Sequence, residues 1–138
     1  MKRTLGILFI MFIGLVLIAG CTEDQPSGEE LKIGVVASMT GSASTTGKDI
    51  WQSAELAAEE INADGGVYVA DLGKKVPIRL VQGDDESTRE GGQKAVSRMI
   101  TQDNVDILVG GFSSAVVSAH QQIVAEHKVP YIITGAST

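Results

Sequence analysis

Cysteine occurs once in the 138 residues, so no disulfide can form within the chain and its core must hold it together. Aromatics are also scarce, with one Trp, two Tyr and three Phe. Basic residues are outnumbered, 11 against 17 acidic ones, and form no clustered Lys/Arg face. That balance excludes the electrostatic footprint of a nucleic-acid binder. No apolar run reaches the roughly 20 residues that span a bilayer. The longest, Leu5 to Gly20, has 16. There is no internal repeat.

What is present begins with that run. Met1-Lys2-Arg3 precede it, and Ile18-Ala19-Gly20 place small residues just before Cys21. A basic start, a short apolar core and small residues at the cut are the parts of an export signal. With the cysteine at that position, the segment resembles the lipobox of prokaryotic lipoproteins. The resemblance implies cleavage after residue 20, a lipid on Cys21, and anchoring at the outer face of the cytoplasmic membrane or in the periplasm. An uncleaved anchor and a plain signal peptide with an incidental Cys21 are the alternatives. Removing residues 1–20 takes away Lys2 and Arg3 but no acid, leaving the rest more acidic than the whole chain's −6. Residues 21–30 contain Pro26, Ser27 and Gly28 and read as a flexible tether. Residues 31–138 then have the size of one small domain.

Beyond the tether, strand and helix patterns alternate. Leu31 to Ala37, Val76 to Val81, Val105 to Gly110 and Val129 to Ile133 are short β-branched runs suited to buried strands. Between the first two, Ile50, Ala54, Ala57, Ala58 and Ile61 form a helical stripe that Gly65-Gly66 ends. Ser87-Thr88-Arg89-Glu90 reads as a capping box opening a second helix, with Ala95, Val96, Met99 and Ile100 on one face. Ala115 to Glu126 makes a third. The expected fold is α/β, a parallel sheet with helices on both faces.

Ligands of such sheets sit beyond the strands' carboxyl ends, where strand order reverses. Three turns of Gly, Ser, Thr and Ala should meet there: Ser38 to Asp49, Gly111 to Ser114, and Thr134 to Thr138. Their small residues let backbone amides approach a polar ligand closely. The third helix begins near Ser113 and Ser114, where its N–H groups would favour a carboxylate. Ordinary turn and capping roles are the alternative for each turn alone.

Four blocks carry a family resemblance: Lys32 to Gly66, IRLVQGDDEST, DILVGGFSSAVVSA and VPYIITGAST. In order and spacing they resemble the branched-chain amino-acid-type substrate-binding proteins of ATP-driven importers, which have the type I periplasmic-binding fold. The resemblance implies that Ser113, with Ser114 beside it, and Thr138 hold a ligand carboxylate, and that the backbone at Ala136 helps hold an ammonium. Thr46 stands where relatives often place an aromatic ring, which implies a different or roomier side-chain pocket. It further implies an amino-acid-like ligand, a membrane permease as partner, no cofactor, and closure of two lobes. This chain would be a partial N-terminal lobe, a fragment or truncated product about a third of a two-lobed member. A sensory receptor domain on the same fold is the rival reading.

Enzyme motifs are approached but not met. Gly41 to Lys48 has five residues between its glycines and Asp49 after the lysine, where a P-loop needs four and a Ser or Thr. Gly111-Phe112-Ser113-Ser114-Ala115 misses the last glycine of a nucleophile elbow, leaving a secreted serine hydrolase using Ser113 as the reading from another class. His120 and His127 are seven apart, too wide for an i, i+4 metal pair, and read as packing residues. Asp84-Asp85-Glu86 could suggest a cation site, but an acidic lead-in to a helix dipole is the preferred reading. Trp51 reads as a packing residue.

Overall fold

The computed structural model describes residues 29–137. In chain order its elements are β1 (Leu31–Ala37), α1 (Ser44–Ala63), β2 (Val67–Val69), β3 (Lys74–Val76), β4 (Ile78–Asp84), α2 (Arg89–Thr101), β5 (Ile107–Gly110), α3 (Ser114–His127) and β6 (Tyr131–Ile133). The main sheet runs β4-β1-β5-β6, all parallel, with Ile33 beside Leu80 and Ile107, and Leu108 beside Tyr131. The chain steps from β1 outward to β4, then returns across β1 to add β5 and β6. Strand order therefore reverses between β1 and β5.

Right-handed crossovers in opposite directions put helices on opposite faces. Val36 and Leu108, both fully buried, face Val96, Met99 and Ile100 of α2 and Val124 of α3. Each such side chain stabilises the fold by about 1.5–3 kcal/mol relative to leaving it exposed. Among the described residues the other face carries α1 alone, over Val35. Ala58 of the α1 stripe is buried and Ile50 and Ala54 are half-buried, but Ala57 and Ile61 are exposed. The cover thins towards β6, where Ile132 is 60% exposed.

Four expectations need correction. Val76 does not belong to the second main strand: Pro77 breaks the run, Val76 ends β3, and β3 pairs antiparallel with β2 in a separate hairpin. α1 begins at Ser44, not near Ile50, because Gly47 lets the helix lie directly on the Ser38 backbone. The cap of α2 is Thr88, whose Oγ1 accepts from the Gly91 N–H at 2.9 Å, so Ser87-Thr88-Arg89-Glu90 is not a capping box. The tether's last two residues are held: Glu29 pairs with Lys74, and Glu30 with Arg79 at 3.1 Å. Surface pairs of this kind contribute about 0–1 kcal/mol. The export signal, Cys21 and the rest of the tether lie outside the described residues. Among the described residues no helix is long and apolar enough to cross a membrane.

Candidate functional site

The carboxyl ends of β1, β5 and β6 lie along one rim, at the reversal of strand order. The turn after β1 is fastened to the turn after β4. Asp85, 1% exposed, accepts from Ser38 Oγ at 2.5 Å and from the Ser87 N–H at 2.8 Å. Asp84 accepts from the N–H groups of Met39 and Glu86, at 2.9 and 2.8 Å, and from Thr40 Oγ1 at 2.8 Å. Ser87 Oγ accepts from the Ala43 N–H and donates to the Thr40 carbonyl, both at 3.0 Å. Burial pushes the Asp84 carboxyl upward, but the donors on Glu86, Thr40 and Met39 outweigh it and hold it below the usual aspartate value. Asp84 and Asp85 therefore clamp the first turn instead of serving the α2 dipole, which corrects the expectation. The hydroxyls of Ser38 and Thr40 are consumed by this clamp.

The other two turns are joined by lighter ties. The Thr134 N–H donates to Gly110 and the Gly135 N–H to Gly111, each at 3.1 Å. Ser114 Oγ donates to the Ser137 carbonyl at 2.6 Å. Ser113, Ser114 and Ala136 are thereby brought to one place, with all three half-buried. Thr138 lies outside the described residues. Ser113 holds the N-cap position of α3, yet its hydroxyl makes no capping bond. An N-cap serine normally spends its oxygen on the helix; this one leaves it available beside the first N–H groups of α3. Arg89, whose role was not legible in the sequence, lines a hollow of about 350 Å³ with Ser114 and Ser118. It adds positive charge at an end of α3 that already favours anions.

Thr46 lies within the first turns of α1, not in a loop. It lines a hollow of about 390 Å³ between α1 and β5, with Asp49, Ile50, Ala54, Val109, Gly110 and Thr134. Gly110 and Thr134 connect this hollow to the turns that carry Ser113 and Ala136.

Behind the rim, His120 is fully buried and its Nε2 lies 3.2 Å from Tyr131 Oη. Its Nδ1 faces Gly92 of α2 and has no hydrogen-bond partner among the described residues. Burial pushes His120 below the ordinary histidine value, and the Asp85 carboxylate recovers only part of that. The Tyr131 hydroxyl is pushed up by burial and then by Asp85. Folding therefore disfavours the protonated ring. The unfolded chain takes up the extra proton as pH falls below about 6.5, so stability should drop from there until the folded ring titrates. Urea midpoints at pH 7.5 and 5.5 test this: the gap between them should narrow in His120→Gln. An unchanged gap would remove His120 as the source.

Among the described residues neither histidine is directed at the Ser113 hydroxyl. His120 points to Tyr131, and His127 ends α3, about 20 Å away along the helix at 1.5 Å per residue. Among the described residues no group of three or more His, Cys, Asp or Glu is placed to hold a metal ion.

Comparison with known proteins agrees with this architecture. Residues 30–138 match the periplasmic binding protein family. The Leu/Ile/Val-binding protein homolog 2 of Brucella abortus is 32% identical over 127 residues, which are 92% of this chain and 32% of that protein. The isoleucine complex of the branched-chain amino acid transporter substrate-binding protein LivJ from Streptococcus pneumoniae superposes with a TM-score of 0.72 at 28% identity. It covers 80% of this chain and 30% of LivJ. A solute-binding protein of an ABC transporter from Rhodopseudomonas palustris, in complex with 3,4-dihydroxybenzoic acid, gives 0.66 at 26% identity, over 79% of this chain and 28% of its own. The chain spans about a third of the length of these relatives. It belongs to the periplasmic binding protein family, as part of a lobe of the branched-chain amino-acid type.

Proposed function

We propose that this chain is the head-group-binding part of an extracytoplasmic solute-binding protein, which captures a small amino-acid-like carboxylate and delivers it to the permease of an ATP-driven importer. The observation that carries the reading is the Ser113 hydroxyl, left uncapped at the start of α3 and tied through Ser114 and Ser137 to the turn that holds Ala136. In this reading the Ser113 hydroxyl, the Ser114 N–H with its neighbours at the start of α3, and Thr138 bind the carboxylate, and the Ala136 backbone meets the ammonium. The relatives support the carboxylate more strongly than the amine, since isoleucine and dihydroxybenzoic acid share only the former. Capture proceeds by closure: a solute that touches two lobes favours the closed state by its extra contacts there. A lipid on Cys21 keeps the protein beside its permease.

A thermal-shift panel of amino acids and aromatic acids should yield a clear stabiliser, because a ligand that binds only the folded state raises its melting temperature. Ser113→Ala should weaken that ligand by about 1–3 kcal/mol, the worth of a hydrogen bond to a charged group. Unchanged affinity would remove the carboxylate assignment.

A further inference from the structure

We propose that Tyr131, held by the buried His120, is a positioning residue for the carboxylate site: its hydroxyl seats the Gly111–Ser114 turn from behind and fixes where the Ser113 hydroxyl stands. The proposal rests on the head-group reading above and deepens it. Gly111 has φ +82° and no side chain. A Cβ there would run into the Tyr131 hydroxyl and lie 2.7 Å from Val117 Cγ2. The backbone of the turn therefore rests directly on two supports, a methyl group of α3 and the phenol of β6. Val117 is fully buried, and Tyr131 packs on the core that α2 and α3 cover. Both supports thus belong to the closed face of the sheet, and their burial comes from contacts among the described residues.

A hydroxyl turned inward needs a partner. Here it is His120 Nε2 at 3.2 Å, with the two ring centroids 5.6 Å apart. The imidazole is itself pinned. Its Nδ1 lies against Gly92 of α2, where even a Cβ would come within 3.0 Å of it, and has no hydrogen-bond partner among the described residues. A buried nitrogen without a partner is a cost that packing alone does not demand. An apolar side chain would leave nothing unpaired at that place. What the imidazole supplies and an apolar group would not is the Nε2 bond that fixes the Tyr131 hydroxyl. Tyr131 also opens β6, three residues before Thr134, and the Gly135 N–H donates to Gly111 at 3.1 Å. One ring therefore bears on both turns, the one with Ser113 and the one with Ala136. Gly111 precedes Ser113 by only two residues, so a shift of the seat reaches that hydroxyl with little backbone to absorb it.

Amide hydrogen exchange in the full-length chain, followed residue by residue by NMR, tests the seat without any ligand. Tyr131→Phe should speed exchange at Gly111 and Gly135 about tenfold, leaving the Asp85 and Val105 amides, bonded to Ala37 and Met99, as they were. His120→Leu should do the same. His120→Gln, whose side-chain amide can still bond the hydroxyl, should restore slow exchange. Acceleration at all four amides alike, or at none, overturns the seat. Binding is read separately, with L-isoleucine and 3,4-dihydroxybenzoate as probes up to millimolar concentration. Tyr131→Phe should weaken whichever acid binds about tenfold, because a site loses affinity when its supporting shell loosens. If Tyr131→Phe loosens the turn yet binds as tightly, the positioning role is overturned, and the head-group reading then stands or falls with Ser113→Ala. If neither acid binds the unaltered chain, the head-group reading falls and takes the positioning role with it.

Discussion

Gly110→Ala should destabilise the protein more than any other single methyl added to the sheet. Gly110 closes β5 with φ +106°, a left-handed conformation open to glycine, and it pairs with Val36 of β1. A Cβ there would press into the Val36 carbonyl oxygen and lie 3.1 and 3.2 Å from the Val36 carbonyl carbon and nitrogen. These are backbone atoms between two paired strands, so they cannot yield without opening the sheet. Strain of about 1–3 kcal/mol from the φ value and about 1–3 kcal/mol from overpacking add in the same direction. Their sum is a large share of the 5–15 kcal/mol that holds a typical domain together. Gly73→Ala is the control, since Gly73 also has positive φ, +63°, but faces open space. Urea denaturation should show a clearly larger loss for Gly110→Ala; equal losses would contradict the close-packing account.

Asp85→Ala should follow in severity, at about 2–4 kcal/mol. It strands the Ser38 hydroxyl and the Ser87 N–H, and a buried donor without an acceptor costs about 1–3 kcal/mol. Removing a buried carboxylate returns part of that cost, which keeps the expected figure below the simple sum. Asp85→Asn retains one acceptor oxygen and should cost less, and Ser38→Ala less again. The same series read by ligand affinity should show weaker binding in Asp85→Ala, because the released β1 turn leads into α1 and Thr46. A fully stable Asp85→Ala variant would mean that the turn holds its shape without the clamp.

The main sheet was legible because its strands are β-branched runs flanked by glycine and polar turns, and such runs have few other uses. The β2–β3 hairpin was not, since Val67–Val69 and Lys74–Val76 are too short to show a period. The start of α1 was hidden for a different reason. Ser44 to Asp49 contain no apolar residue, and the helix N-cap, Ala43, makes no side-chain bond. What sets that turn is a tertiary contact, Gly47 on the Ser38 backbone. Starting the helix too late in turn hid Asp49, which reads as loop polarity until α1 places it beside Thr46. Asp84 and Asp85 were misread because an acidic pair before a helix looks the same whether it serves the dipole or a neighbouring turn. The grouping of Ser113, Ser114 and Ala136 was legible from parallel topology alone: turns that follow adjacent parallel strands must share an edge.

The clamp made by Asp84, Asp85 and Ser87 divides the rim into a fixed jaw and an adjustable one. The fixed jaw ends β1 and β4 and answers to the fold. The adjustable jaw, residues 111–114 and 134–137, is joined by three hydrogen bonds between the ends of β5 and β6 and tied to β1 through the Gly111 N–H on the Val36 carbonyl at 2.8 Å, and its side chains carry little of the core. On the proposed reading, side chains substituted there would retune the accepted solute while the Asp85 clamp stays in place.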